Sequence, residues 1–284
     1  MIANKKKNLN PLVSVGFPVR NGEKTLKKAL NSILKQTETN FEIIISDNNS
    51  IDNTASIIKK MLIKESRIKY YRQKKTLTIF KNFDFVLRKS KGKYFLWIAH
   101  DDYRDKNYIK KLICAIDDDE SAILAFGDLQ YLNYNLNEKI IFDFHTENKH
   151  ILSRMAKTAF IQCFHIYGVW KTDKLKKLSF FGTSWWGDLP FMLSACCLGT
   201  FKYVSGTNFY YFNDNKLSKE RIYYQDLKSK FNLFFVIMSL IQSGYKSSSK
   251  VGGVILGIIS SVFIILRILK LTCNSLFRRI SNLF

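Results

Sequence analysis

Acidic side chains are scarce in this chain: 23 Asp and Glu stand against 45 Lys and Arg, a formal net charge of +22 over 284 residues. Such an excess favours polyanionic partners (nucleic acid, anionic lipid or a phosphorylated substrate) and says nothing about the fold. No zinc-finger spacing, RNP-type aromatic motif or basic-zipper heptad accompanies the charge, so nucleic acid is not expected as a partner. The five cysteines, Cys114, Cys163, Cys196, Cys197 and Cys273, form no Cys-x-x-Cys pair and sit in apolar contexts. That argues for buried thiols in a reducing compartment and against a disulfide frame or a zinc site. Ahead of the first strand there is Lys5-Lys6-Lys7 but no apolar run, so a cleaved secretory signal is not expected. Internal repeats and low-complexity linkers are missing as well.

What is present is 46% hydrophobic residues, enough for one large α/β domain and an appendage. Residues 12–17 form a first strand ended by Pro18, and a helix from Asn21 or Gly22 carries the stripe Leu26, Ala29, Leu30, Ile33 and Leu34. Residues 41–45 form a second strand, and Asp52 caps a helix bearing Ile57, Ile58, Met61 and Leu62. A short strand at 67–72, a helix at 80–89 and a strand at 93–98 follow. This alternation predicts an α/β fold whose mainly parallel sheet is flanked by helices on both faces. Further on, the pattern predicts a strand at 122–131, a helix at 152–164, a helix opened by Asp188, and closing strands at 201–204 and 208–212.

The strand at 93–98 is short, apolar and aromatic, and Asp101-Asp102 follows it directly. In open α/β sheets ligands bind at the C-terminal ends of strands. Adjacent carboxylates repel unless a cation joins them, and a hard divalent metal does so with few protein ligands, taking the rest of its shell from water and substrate phosphates. The pair thus points to a diphosphate-bearing substrate. A structural alternative stands beside it: the pair opens a loop, and Asp105 caps the helix carrying Tyr108, Ile109, Leu112, Ile113 and Ile116.

Four features occur in order: Val15-Gly16-Phe17-Pro18-Val19-Arg20-Asn21 at the first strand's end, Ser46-Asp47-Asn48-Asn49-Ser50-Ile51-Asp52-Asn53-Thr54 after the second strand, Ala99-His100-Asp101-Asp102, and Trp185-Trp186-Gly187-Asp188 opening a helix. The set, spanning about residues 11 to 213, resembles family 2 glycosyltransferases of the GT-A fold. The resemblance implies that Pro18 and Asn21 shape the loop beside the nucleotide, and that Asp47 accepts a hydrogen bond from a uracil-like base. It further implies that Asp101 and Asp102 hold Mg²⁺ or Mn²⁺ against the diphosphate, with Asp101 also counted among the nucleotide-binding residues, and that Asp188 deprotonates the acceptor hydroxyl. The chain departs from the usual pattern at Ala99, where many members have the first Asp of Asp-x-Asp, at Asn48-Asn49 in place of Asp-Gly, and at Gly187 in place of Glu. A plain helix cap is the structural alternative for Asp188. His165, Trp185 and Trp186 are candidates for the acceptor site, with core packing as their alternative. Arg20 faces either a phosphate or solvent, and His100 either the metal or its surroundings. Asp128 is a sheet-end carboxylate without a chemical role.

After about Lys216 the chain changes character. Val251 to Leu266 carries no charge, and Arg267, Lys270, Arg278 and Arg279 follow. A spanning helix needs about 20 mostly apolar residues, and a single crossing would put the arginines on the far side, against the positive-inside tendency. A re-entrant or interfacial helix pair at an anionic membrane surface fits better; a buried C-terminal helix is the alternative. Residues 1–215 are therefore expected to form the catalytic domain, with a nucleotide-binding half at 11–105 and an acceptor half at 106–215. Residues 216–284 form the helical, basic, membrane-associating tail. The functional expectation is an inverting, metal-dependent transferase at the cytoplasmic face of a bacterial inner membrane. It moves a sugar from a nucleotide-diphospho sugar to a glycan or lipid-linked acceptor. The competing classes are a non-catalytic membrane-surface module and a sugar nucleotidyltransferase; the latter would want a Gly-rich phosphate loop that 17–22 does not supply.

Overall fold

Every residue of β1 (Val13–Val19) and β2 (Phe41–Asp47) is buried, as strands covered on both faces must be. The computed structural model describes residues 10–133, 136–140, 150–161, 163–179, 187–212 and 233–281. Among them β3 (Ile68–Arg72), β4 (Tyr94–Trp97), β5 (Tyr103–Arg104), β6 (Ala122–Asn133), β7 (Leu136–Ile140), β8 (Val169–Lys171) and β9 (Thr200–Phe212) complete one mixed sheet. Its order is β3-β2-β1-β4-β8-β6-β9-β5, with β7 on β6. The strands β3, β2, β1 and β4 are mutually parallel, so their C-terminal ends lie along one edge. β8 is antiparallel to both β4 and β6, and joins that block to the parallel pair β6 and β9.

Side chains alternate between two cores with the period of a strand. Ile43, Ile45, Tyr94 and Leu96 face one side, where they meet Leu30 and Ile33 of α1 (Leu26–Leu34), Ile58 of α2 (Thr54–Leu62) and Leu112 of α4 (Tyr108–Asp117). Ile44, Phe95 and Trp97 face the other. There they meet Val86 of α3 (Ile79–Lys89), Met155 of α5 (Ile151–Ala159) and Phe191 of α7 (Asp188–Ala195). A 3-10 turn at Cys163–Tyr167 precedes β8, and the one-turn α6 (Thr172–Leu175) follows it.

Three local expectations are corrected. Pro18 does not end β1 but sits inside it, opposite Ser46 of β2. Pairing with β4 stops at Gly16–Trp97, so by strand alternation the side on which Pro18 lacks its N–H has no ladder left to join. Asp105 does not cap α4 with its side chain; its carboxylate accepts from the Asn208 backbone N–H at 2.8 Å and the Tyr210 hydroxyl at 2.9 Å, tying β5 to β9. The two closing strands are one, β9, whose pairing with β6 slips between Gly127 and Asp128. Asp128 sits at that slip, buried, and takes the Tyr203 hydroxyl and the Gly206 N–H.

The tail is a helical segment, α8 (Leu233–Ser281), broken at Gly253, whose φ of 82° lies in the left-handed region. Its two arms run back along each other: Ser261 Oγ donates to the Ile241 carbonyl at 3.3 Å, and a Cβ on Gly244 would fall 2.3 Å from Ile264. The hairpin packs on α7 and α5, and Ile264 is fully buried in the second core.

Candidate active site

The register Val19–Asp47 and Gly16–Trp97 brings the ends of β2, β1 and β4 together at one edge. The loops that leave them are clasped. Asn21 N–H donates to Ser50 Oγ at 3.0 Å, Gly22 N–H to Thr54 Oγ1 at 2.8 Å and Glu23 N–H to Asp52 Oδ2 at 3.1 Å. Asp52 also accepts the Thr54 N–H at 3.0 Å, so it caps the start of α2 while Asn53 occupies the residue before the helix. Although burial pushes the Asp52 carboxyl upward, these hydrogen bonds outweigh it and hold its pKa below the ordinary value.

Asp47, on β2's last position, is wholly buried. Its Oδ1 accepts the Ser50 N–H at 2.8 Å, and its Oδ2 accepts from the Tyr70 hydroxyl at 2.8 Å and Arg72 Nη1 at 3.1 Å. Burial first, and then the Asp47 charge, raise the Tyr70 pKa. Arg72 remains partly exposed above the pair, so Asp47 is a carboxylate braced from β3 at the floor of the edge. Asn21 and Asn49 are the two non-glycine residues with positive φ among those described, at 51° and 57°. Asparagine tolerates this region better than other residues with a Cβ, which accounts for Asn49 where the family carries Gly.

Asn48 has its own reason. Its side-chain amide donates to the Leu77 carbonyl at 2.9 Å and accepts the Leu77 N–H at 2.7 Å, fixing the loop before α3 to the end of β2. An aspartate offers only acceptors to that pair of backbone groups. Asn48→Asp is therefore expected to lower stability by about 1–3 kcal/mol. The urea midpoint measures this, and an unchanged midpoint would remove the clamp from the account.

Asp101 is half-buried and Asp102 is 1% exposed. Beside them the His100 ring is fixed to the start of α1 by Thr25 Oγ1, 2.8 Å from Nδ1. Behind them lies Arg104, 4% exposed, its guanidinium 3.7 Å over the Phe209 ring and 5.3 Å from that of Tyr108. Burial lowers the Arg104 pKa, and the nearby Tyr108 and Asp102 work against that loss.

Asp188 opens α7, half-buried, with Oδ1 accepting the Leu189 N–H at 3.0 Å. Burial raises its pKa above the ordinary carboxylate value, opposed by that N–H and by the Arg267 charge. Gly187 is required by contact: a Cβ there would lie 2.4 Å from the Phe80 ring of α3, which leaves no space for the glutamate usual at that position. Phe191, one turn on, packs edge-on against Trp97 at 6.0 Å, so the helix carrying Asp188 rests on the strand that delivers Asp101 and Asp102.

The residue that gathers these carboxylates is Tyr167. Its ring stands 6.4 Å from Phe83 and 5.6 Å from Phe209. Its hydroxyl pKa is pushed well up by burial and then by Asp102, Tyr211, Asp101 and Asp188. The three catalytic candidates that follow β4 and open α7 thus all lie near enough to Tyr167 for their charges to bear on it. His165, two residues earlier, points elsewhere: its ring lies between Phe126 at 5.6 Å and Phe201 at 5.8 Å, 4% exposed. Trp185 and Trp186 lie outside the described residues. Tyr70, Arg72, Thr25, Arg104 and Tyr167 were not among the sequence candidates. The first two had only their place on the strand beside β2 to mark them, and Tyr167 only its nearness to His165.

Among the described residues no group of three or more His, Cys, Asp and Glu forms a metal cluster. Asp101 and Asp102 are a hard, oxygen-only pair of the kind that suits Mg²⁺ or Mn²⁺ when a substrate supplies further oxygens.

Comparison with known proteins follows the same geometry. Residues 14–173, more than half of the chain, match the family described as Glycosyl transferase family 2. An uncharacterized glycosyltransferase of Rickettsia felis (strain ATCC VR-1525 / URRWXCal2) is 32% identical over 132 residues, 45% of this chain and 22% of that protein. Glycosyltransferase GlyG of Streptococcus pneumoniae serotype 4 is 28% identical over 127 residues, 45% of this chain and 41% of GlyG. The chain thus spans less than half the length of these relatives. Among solved structures, S. aureus TarS 1-349 is similar with a TM-score of 0.61 at 18% identity, covering 84% of this chain and 69% of that one. Its complex with UDP-GlcNAc gives 0.59 at 21% identity, covering 71% and 58%. At such identity the likeness is one of fold, the GT-A arrangement that the strand order and the acidic edge also describe. With its matched segment holding Asp47 at the end of β2 and Asp101 and Asp102 beyond the end of β4, the two parallel strands that flank β1, the chain belongs to glycosyl transferase family 2.

Proposed function

We propose that this protein is an inverting glycosyltransferase that takes a sugar from a uridine-diphospho sugar and places it on a hydroxyl of a lipid-linked or surface-polysaccharide acceptor at the cytoplasmic face of a bacterial membrane. The observation that carries the reading is the placement of Asp101 and Asp102 just beyond β4, at the edge where the parallel strands end, with Asp188 on the helix whose Phe191 packs on Trp97 of that strand. TarS, similar in fold, has been solved with UDP and with UDP-GlcNAc, which supports the choice of donor.

Asp47 receives an N–H of the base on Oδ1, which has one lone-pair site beyond that used by Ser50, while Tyr70 and Arg72 occupy those of Oδ2. Pro18 and Asn21, the latter at a φ of 51°, shape the loop beside the nucleotide. Asp101 and Asp102 would hold Mg²⁺ or Mn²⁺, which would offset the charge that builds on the departing diphosphate. Asp188 takes the proton of the attacking hydroxyl. Its raised proton affinity makes it a stronger base than an exposed carboxylate. One displacement assisted by one base inverts the anomeric centre, by way of an oxocarbenium-like transition state.

The test is release of nucleoside diphosphate from a panel of nucleotide sugars with Mg²⁺ or Mn²⁺ and without either. Metal-dependent release from a UDP-sugar is expected. No release from any donor would overturn the reading.

A further inference from the structure

Polarity in the C-terminal hairpin is inside out. The faces turned toward the catalytic domain and toward each other carry small and hydroxylated residues: Ser247, Ser248, Gly257 and Ser260 are buried, and Ser194 of α7 donates to Ser247. The outward face of the second arm is aliphatic. Ile255, Ile258, Val262, Ile265, Leu266 and Leu269 follow helical spacing and are all exposed, Ile255 at 73%. The first charged residue after Lys250 is Arg267, and its guanidinium turns from this stripe to the carbonyls of Ala159 and Ile161. A helix on a water-facing surface shows the reverse pattern. Small residues inward and aliphatic residues outward is how helices pack in lipid.

The hairpin is fixed along its length. Near the break, Gly252 abuts Cys197 just beyond α7, and Lys250 Nζ donates to Ser179 Oγ at 2.7 Å. At the far end Arg267 holds the end of α5. The second arm runs about 21 Å from the break at Gly253 to Arg267, and with contacts at both of its ends the catalytic domain lies alongside the stripe. A helix so docked cannot enter a bilayer end-on. The uncharged run from Val254 to Leu266 is also only about 20 Å long, against a hydrocarbon core of about 30 Å. Basic residues border the stripe: Lys246, Lys250 and Lys270 are exposed, and Lys270 sits 5.2 Å over the ring of Phe160, itself exposed. With a chain charge of +22, anionic lipid is the complementary occupant, and a second copy of the chain would be repelled.

We propose that this stripe is a membrane-docking face that lies in the plane of an anionic bilayer, and that α7, clamped to the hairpin, carries Asp188 at a set height above the lipid. The proposal rests on the reading of a membrane-borne acceptor and deepens it. It separates an in-plane helix from the spanning or re-entrant one that hydropathy alone allows for 241–270, where the mean hydropathy reaches 2.4.

Flotation of the full chain with phosphatidylglycerol–phosphatidylethanolamine vesicles tests it. Ile258→Glu with Ile265→Glu is expected to lower partitioning by roughly a hundredfold, with release of UDP from UDP-GlcNAc in solution unchanged. Nitroxides on Ile255→Cys, Val262→Cys and Leu269→Cys, corrected for the labelled parent, should report equal depth. Flotation of the double variant like the parent, or a depth maximum at Val262 with both ends shallow, would overturn the proposal. So would a parent that ignores the vesicles and sediments as a dimer that the double variant breaks. Absence of nucleoside diphosphate release from every donor of the panel, by parent and variant alike, would count against the catalytic reading and leave the flotation result standing.

Discussion

Asp188→Asn should lower kcat for transfer by about 10²–10⁴-fold and, at pH 7, leave a protein more stable than the parent. The two effects have one cause. Burial raises the affinity of Asp188 for its proton, so the folded state binds that proton more readily than the unfolded chain. Stability then falls as pH rises from the ordinary carboxylate value of 3.8 through the folded value, and the ionised side chain is a cost at neutral pH. Asparagine keeps an oxygen for the Leu189 N–H, 3.0 Å away in the parent, and removes the buried charge. The gain in melting temperature should therefore be present at pH 7 and vanish below about pH 4, where parent and variant are both neutral. In activity the parent's acidic limb should lie above the usual carboxylate range, and the residual rate of the variant should lack that limb. Retained turnover, or a variant less stable than the parent at pH 7, would remove Asp188 from the role of base.

That signature was legible only in part before the structure. Asp101 and Asp102 could be picked out because charge follows a buried strand abruptly, and Asp47 and Asp188 because the motifs that hold them resemble those of the family. Strands covered on both faces advertise themselves as unbroken apolar runs, and so β1, β2 and β4 were readable to within a few residues. What could not be read was convergence over distance. Asp105 has the local look of a helix cap, and its partners Asn208 and Tyr210 are over a hundred residues away. Asn48 departs from its family, and the reason is the backbone of Leu77, 29 residues on. Gly187 departs too, and the reason is the ring of Phe80 on another helix. His165 and Tyr167 share one turn, and only the packing of that turn decides that the tyrosine lies against Phe83 and Phe209, within the field of the carboxylates, while the histidine meets Phe126 and Phe201. The tail is the converse case. Its composition allowed a lipid-facing or a buried helix, and only the structure shows which face packs on α7 and α5 and which aliphatic face is left exposed.

At Asp102 the structure predicts two losses where sequence alone predicts one. Asp102→Ala should abolish metal-dependent transfer, since Asp101 alone is a poor holder for a hard divalent cation. It should also cost on the order of 1–3 kcal/mol of stability. The second loss comes from Arg104. This guanidinium is 4% exposed, stacked 3.7 Å from the Phe209 ring, and depressed in pKa by burial, with Asp102 among the charges that help keep it protonated. Taking that charge away leaves a buried cation less compensated, and the ring face of Phe209 replaces only part of what is lost. Asp102→Asn keeps the shape and should show the same loss of activity, with the Mg²⁺ or Mn²⁺ response gone rather than merely shifted. Adding Arg104→Met to Asp102→Asn removes the buried cation as well. The double variant should then regain most of its urea midpoint and none of its activity. If the single variant turns over with the parent's metal dependence, Asp102 does not hold the metal. If the double variant is no more stable than the single, the charge of Arg104 is compensated by its rings and by Tyr108, and Asp102 serves the substrate side alone.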